Sequence, residues 1–196
     1  MKKWGDALRN EGFLIKQEYI DVFNLVNRSD FVPERFRKHS DNDEPVPIPF
    51  EQTQSAPHMD AIFINYVEPK DDEMALEIGT GSGYFSTILS FLVRRVVSIE
   101  YLPGLSQWAA GNISKYRREN LDLLVGNINR ICLREKFDII ISTASFRNEP
   151  DFLSKFIKPG GRIIFPVGSL PPQRLVGFKN GKRKELGSVA FVNIAD

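Results

Sequence analysis

Met74-Ala75-Leu76-Glu77-Ile78-Gly79-Thr80-Gly81-Ser82-Gly83-Tyr84 is an apolar run that breaks into alternating glycines. A nearly continuous apolar run suits a strand buried on both faces. Glycines directly after it let the chain turn tightly, and let a ligand reach the backbone with no Cβ in the way. The stretch therefore predicts a strand, a ligand-binding turn and the start of a helix.

Downstream, apolar runs recur at 95–99, 121–125, 137–143 and 162–167, with helical patterns at 84–93, 102–118 and 150–157. Regular alternation of strand and helix predicts an α/β fold, a Rossmann-like, mostly parallel sheet with helices on both faces. Beyond Pro166, the run 173–178, the pair Asn180-Gly181 and the run 189–194 predict a C-terminal antiparallel hairpin. Upstream, Ile15, Tyr19, Val22, Phe23 and Val26 fall at helical spacing, so helices are expected at 4–11 and 16–26. Residues 28–57 show no period and hold five prolines, the mark of a functional or disordered loop. Pro57 then opens a helix whose apolar stripe is Met59, Ile62, Phe63, Tyr66 and Val67. The whole, 1–196, reads as one domain, with 1–56 as N-terminal helices and substrate loop and 57–196 as the core.

Composition narrows the chemistry. Lys+Arg 26 against Asp+Glu 25 leaves no overall charge to attract nucleic acid or an anionic membrane. No apolar run reaches a membrane span and the polar start does not read as a signal peptide, so a cytoplasmic protein is expected. Cys132 is the single cysteine and His39 and His58 the only histidines, which disfavours disulfides and zinc sites.

The glycine spacing is G-x-G-x-G, not the G-x-G-x-x-G of dinucleotide binders. Glu77 lies two residues before the first glycine, where a pyrophosphate would be repelled and a cation accepted. Glu100 ends the second strand, where a carboxylate can take ribose hydroxyls. S-adenosylmethionine carries an ammonium and a sulfonium and no phosphate, so it fits these charges. A plain strand-to-helix turn with solvated acids is the alternative. Gly126-Asn127 follows the third strand, either as a turn or as an amide facing an adenine ring.

QTQSAPHM (52–59), EIGTGSGY (77–84) and FDIIISTAS (137–145), with DFVPE (30–34), PVPI (45–48) and KPGGRIIFPVG (158–168), resemble protein-L-isoaspartate O-methyltransferases. EIGTGSGY is shared by many methyltransferases, whereas QT-x-SAPHM is specific to this family. The resemblance implies a seven-stranded sheet, S-adenosylmethionine as donor, and isoaspartyl peptides or proteins as substrate. It implies Ser55 as the catalytic residue, with Thr53 and His58 beside it in the substrate site. Glu77, Ile78, Gly79, Thr80, Gly81, Ser82, Gly83, Glu100, Tyr101, Gly126, Asn127 and Thr143 are the implied cofactor contacts. No metal is implied.

A carboxylate nucleophile is already ionised at neutral pH, so the chemistry asks for positioning rather than a base. Free N–H groups at the helix start near Pro57, together with Ser55, are expected to hold that anion, unless Ser55 or Thr53 simply caps the helix. The chain departs from the family at Pro49-Phe50-Glu51, Asn127 and Ser145-Phe146, and ends soon after its last expected strand. Glu51, Asn127 and Phe146 keep open a methyltransferase with another, possibly small, acceptor, and a non-catalytic binding module is the third reading.

Overall fold

The structure, a computed structural model, describes residues 2–195; the expected domain ends at Met1 and Asp196 lie outside them. The first two helices form as α1 (Trp4–Asn10) and α2 (Gln17–Leu25), burying Trp4, Leu8, Tyr19, Ile20 and Phe23. The aperiodic stretch that follows is ordered. It folds as two 3-10 helices, Arg28–Phe31 and Glu34–Asp41, and a hairpin of β1 (Val46–Ile48) and β2 (Gln52–Gln54).

Its organiser is Arg28, whose side chain is buried. The guanidinium donates to the carbonyls of Ser40, Asn42, Glu44 and Ser55 at 3.3, 2.7, 2.7 and 3.0 Å. One fork of donors thus satisfies backbone acceptors spread over 16 residues of chain, from 40 to 55. Order of this kind leaves no hydrophobic period to read.

Next come α3 (Pro57–Val67), β3 (Met74–Ile78), α4 (Tyr84–Ser90), β4 (Arg95–Glu100) and α5 (Pro103–Ile113). They are followed by β5 (Leu121–Val125), β6 (Phe137–Ser142), β7 (Ile157–Val167), β8 (Gln173–Lys179) and β9 (Lys182–Val189). The large sheet has the order β5-β4-β3-β6-β7-β8-β9, parallel from β5 to β7 and antiparallel from β7 to β9. This is the expected Rossmann-like sheet with its antiparallel end.

Side chains alternate between two cores. Ala75, Val96, Ile139, Ile141 and Ile164 meet the five α-helices on one face. Leu76, Ile78, Val97, Ile140 and Phe165 meet Ile128, Phe146 and Leu153 on the other. That second face is covered by loops and by a 3-10 helix, Asp151–Lys155, where the pattern at 150–157 predicts a longer helix. Strand β7 begins at Ile157, pairing with Phe137, and takes the end of that segment. The helix expected to reach 118 closes earlier, as α5 and a 3-10 turn at Ser114–Tyr116, with Arg117 left-handed (φ 50).

The hairpin also differs from its reading. Asn180 and Gly181 do form the turn, both with positive φ (54 and 71), which suits a two-residue connection. The partner strand is the polar Lys182–Val189, and the apolar run 189–194 is not its strand. That run instead crosses the strand ends: the Ser145 N–H donates to Val192 O (2.8 Å) and the Ile194 N–H to Ser145 O (2.9 Å). Its apolar residues Phe191, Val192 and Ile194 are half-buried against the site, whereas the edge strand β9 faces water and carries charge.

Candidate active site

Strand order reverses between β3 and β6, and in parallel sheets ligands sit outside the carboxyl ends of strands at such a point. Here the ends are stitched one residue past the strands. The N–H groups of Gly79, Thr143 and Gly126 donate to Ile99 O, Ile78 O and Glu100 O at 2.8, 2.9 and 2.9 Å. Thr143 Oγ1 also donates to Gly79 O at 2.6 Å. A cavity of about 260 Å³ opens above these ends. It is lined by Ile78, Gly79, Gly81, Glu100, Tyr101, Gly126, Asn127 and Thr143, with Leu102, Leu105 and Ile128 as an apolar wall.

Three of the expected contacts support this cavity without lining it. Thr80 Oγ1 pairs with Ser98 Oγ at 2.6 Å, and Ser82 O accepts from Asn112 Nδ2 at 3.1 Å. Gly83 is needed because a Cβ there would stand 2.8 Å from Ile113, at a φ of 84. Asn127 Oδ1 accepts from the Asn129 N–H (2.9 Å), so the amide also shapes its own turn.

The two acids differ in environment. Glu100 is fixed at the cavity by the N–H groups of Gly81 and Leu102, at 2.9 and 3.1 Å to its two oxygens. Each oxygen keeps a lone pair for a further donor. Glu77 is fully buried: Ser98 Oγ donates to its Oε2 at 2.6 Å, Ser86 Oγ donates to the same oxygen, and Oε1 has no partner. Burial pushes its carboxyl up to about 7, opposed by the two serines and reinforced by Glu100. A carboxyl of this kind is set to accept a cation.

Glu77 faces a small annex of the cavity rather than the cavity itself, and Thr53, Gly79, Gly81 and Thr143 are walls common to both. A wider cleft of about 640 Å³ lies on the other side, lined by Asp43, Glu44, Ser55, His58, Phe191 and Val192. Thr53 and Thr143 line this cleft as well, so all three spaces meet at these two threonines. Ser55 borders the cleft and the annex, and its carbonyl is held by Arg28.

The start of α3 is not the free anion site expected from sequence. Pro57 has no N–H, and the His58 N–H donates to Asp43 Oδ1 at 3.1 Å. The Met59 N–H donates to Ala56 O at 2.9 Å. An internal carboxylate, not Ser55 or Thr53, therefore caps this helix. Asp43 also reaches His58, with Oδ2 at 2.9 Å from Nδ1, and the imidazole lies against Phe13.

Glu51 and Phe146 stand outside the cleft. Phe50 and Glu51 form the β1–β2 turn with positive φ (61 and 58), the Phe50 ring resting on Gly104 of α5. Phe146 is buried edge-to-face against Phe152 and Phe165. Sequence reasoning missed Asp43, Gln54, Asp60 and the 192–195 tail. Asp60 carried a signal, an acid on the buried side of α3 beside Ala61 and Ile64. The tail's apolar residues read instead as a hairpin strand, because contact with Ser145, just past β6, is a tertiary event.

The family described as Protein-L-isoaspartate(D-aspartate) O-methyltransferase matches residues 2–196. A protein-L-isoaspartate O-methyltransferase of Pyrococcus abyssi is 36% identical, covering 97% of this chain and 92% of the relative. One from Myxococcus xanthus is 37% identical over 86% of this chain and 80% of its own length. In fold, the chain resembles a Plasmodium falciparum protein described as an isoaspartate O-methyltransferase and solved with S-adenosyl-L-homocysteine. That likeness has a TM-score of 0.83 at 24% identity, over 98% of this chain and 96% of the other. With a match along almost its entire length, the chain belongs to the protein-L-isoaspartate O-methyltransferase family.

Proposed function

We infer that this chain transfers a methyl group from S-adenosylmethionine to the free carboxylate of L-isoaspartyl residues in damaged proteins. The observation that carries this is the meeting of cofactor cavity and peptide-sized cleft at Thr53 and Thr143, with Ser55 on the cleft side. The donor supplies an electrophilic methyl carbon when bound. The apolar wall of Leu102, Leu105 and Ile128 suits its adenine, and Glu100, its oxygens oriented by two amides, suits the ribose hydroxyls. Ser55, through its hydroxyl, orients the acceptor carboxylate, with Thr53 and His58 beside it in the cleft. Catalysis is positioning, and no proton need be removed from the nucleophile. We assign 1–196 to one catalytic unit acting in the cytoplasm; no helix of the described residues is long and apolar enough to cross a membrane.

The test is methyl transfer from labelled donor to an isoaspartyl peptide and its aspartyl twin. Transfer to the isoaspartyl form alone is expected, and Ser55→Ala should lower the rate about 10- to 100-fold, the loss of one hydrogen bond to a charged group. Equal transfer to both peptides would remove the assignment. Asp43 and Glu44 on the cleft favour a second reading, an acceptor that is not a carboxylate; methylation of a basic small acceptor but neither peptide would establish it.

Glu77 adds a pH dependence. A bound cation favours its ionised form, and the free protein holds that carboxyl protonated below about 7. Donor affinity should therefore rise with pH up to neutrality and level off above it. Titration with S-adenosylhomocysteine is expected to show roughly tenfold weaker binding at pH 6 than at pH 8. A flat profile would mean that Glu77 meets no positive charge.

A further inference from the structure

Backbone pairing between β8 and β9 ends at Gln173 and Val189. The chain then leaves the sheet edge and crosses the strand ends as residues 190–195. Phe191 and Val192 are only half-buried there and Ala190 is exposed, so hydrogen bonds must hold much of that path.

The Gln173 side chain supplies two of them. Its Oε1 accepts from the Phe191 N–H at 2.7 Å, and its Nε2 donates to Phe191 O at 3.0 Å. One amide thus bonds both ways to one residue, as a backbone partner does in an antiparallel pair, and extends the ladder past its last strand residue. The amide itself has little room to move. Gln173 is buried, and its side chain lies on Gly168, where an added Cβ would stand 3.2 Å from Gln173 Cγ. The Phe191 ring meets Phe63 of α3, with centroids 5.8 Å apart.

The segment is anchored in two halves that face different spaces. Residues 188–192 line the wide cleft, and 192–195 line the cofactor cavity. Ser145 holds Val192 O and the Ile194 N–H through its own backbone, whereas Gln173 holds Phe191. Anchoring by Ser145 therefore bears on the donor side, and anchoring by Gln173 on the acceptor side. Gln173 itself lines neither space.

We propose that Gln173 is a positioning residue for the acceptor, fixing through Phe191 the wall of the cleft against which the isoaspartyl peptide lies. The inference rests on the acceptor assigned above and adds a residue that touches neither substrate nor donor. Without the amide, the Phe191 N–H and carbonyl lose both partners, and turning toward water becomes the cheaper state for residues 189–191. The reacting carboxylate stays with Ser55, so the loss falls on peptide binding rather than on the transfer step.

Gln173→Met tests this, because it keeps the length of the side chain and its packing on Gly168 while removing both hydrogen bonds. KM for an isoaspartyl peptide should rise about tenfold, with kcat and S-adenosylhomocysteine affinity each within about threefold of wild type. In amide hydrogen exchange, the Phe191 N–H should lose about tenfold or more of its protection while the Ile194 N–H keeps its own. A lower kcat at unchanged KM, or equal losses for peptide and S-adenosylhomocysteine, would overturn the proposal and leave Gln173 a role in general stability. Wild-type protein gives a second measurement that does not depend on the variant folding. Saturating isoaspartyl peptide should slow exchange at Phe191, and unchanged exchange there would overturn the proposal. No transfer to the isoaspartyl peptide by wild-type protein would instead remove the acceptor assignment, and this inference with it.

Discussion

Replacing Arg28 by methionine should lower the melting temperature by roughly 6–12 °C, the shift that a loss of about 3 kcal/mol produces in a chain of this length. The substitution keeps much of the buried volume and deletes the donors that four carbonyls share. Each buried acceptor left unpaired costs about 1–3 kcal/mol, and part of that is recovered where water can enter. Because Ser55 O is one of the four, methyl transfer should fall further than donor binding does. Ser55 belongs to the segment that loosens, whereas the glycine loop is held by β4 and β6. Thermal melts and separate measurements of transfer rate and S-adenosylhomocysteine affinity check both parts. A shift below 2 °C with transfer intact would show that Arg28 does not organise the loop.

Gly79→Ala is the second large effect. At φ 97 a side chain is strained in any surroundings, and the new Cβ would lie 2.7 Å from Thr143 Oγ1. Thr143 has little freedom to yield, since its hydroxyl donates to Gly79 O and its N–H to Ile78 O. Strain and clash together should weaken donor binding on the order of 100-fold, about 2.7 kcal/mol, while the sheet stays folded. The double variant Gly79→Ala with Thr143→Ala removes the clash and keeps the strain. Partial recovery of affinity in it would assign the remainder to the backbone. No recovery would show that the Thr143 contact is irrelevant.

Much of this protein is legible without its structure. Three alternating glycines after an apolar run, with Glu77 before them and Glu100 at the next strand end, point to the strand ends where the parallel sheet has its reversal of strand order and a cavity opens. Local pattern suffices there, because strand burial and tight turns are set by residues next to one another in sequence. The last hairpin was legible at its turn and misread in its second strand. An edge strand facing water carries Lys and Glu, and it looks like a loop to any reading that seeks apolar alternation.

Three features needed the tertiary structure. The segment 28–57 lacks a period because a buried guanidinium orders it through carbonyls distant in sequence. The start of α3 looked like an open anion site until Asp43, 15 residues upstream of His58, was found on its N–H. Glu51 and Phe146 are adjacent to site motifs in sequence, but Glu51 is an exposed residue of the β1–β2 turn and Phe146 packs into the core.

By itself, then, the sequence determined the fold class and the family, since both rest on short-range patterns of burial, turning and charge. The shape of the cleft beside Ser55, the capping of α3 and the grouping of Gln54, Asp60 and Glu77 around one space were decided only by tertiary folding. They depend on which distant side chains the packed chain brings within hydrogen-bonding reach, and no local pattern encodes that distance.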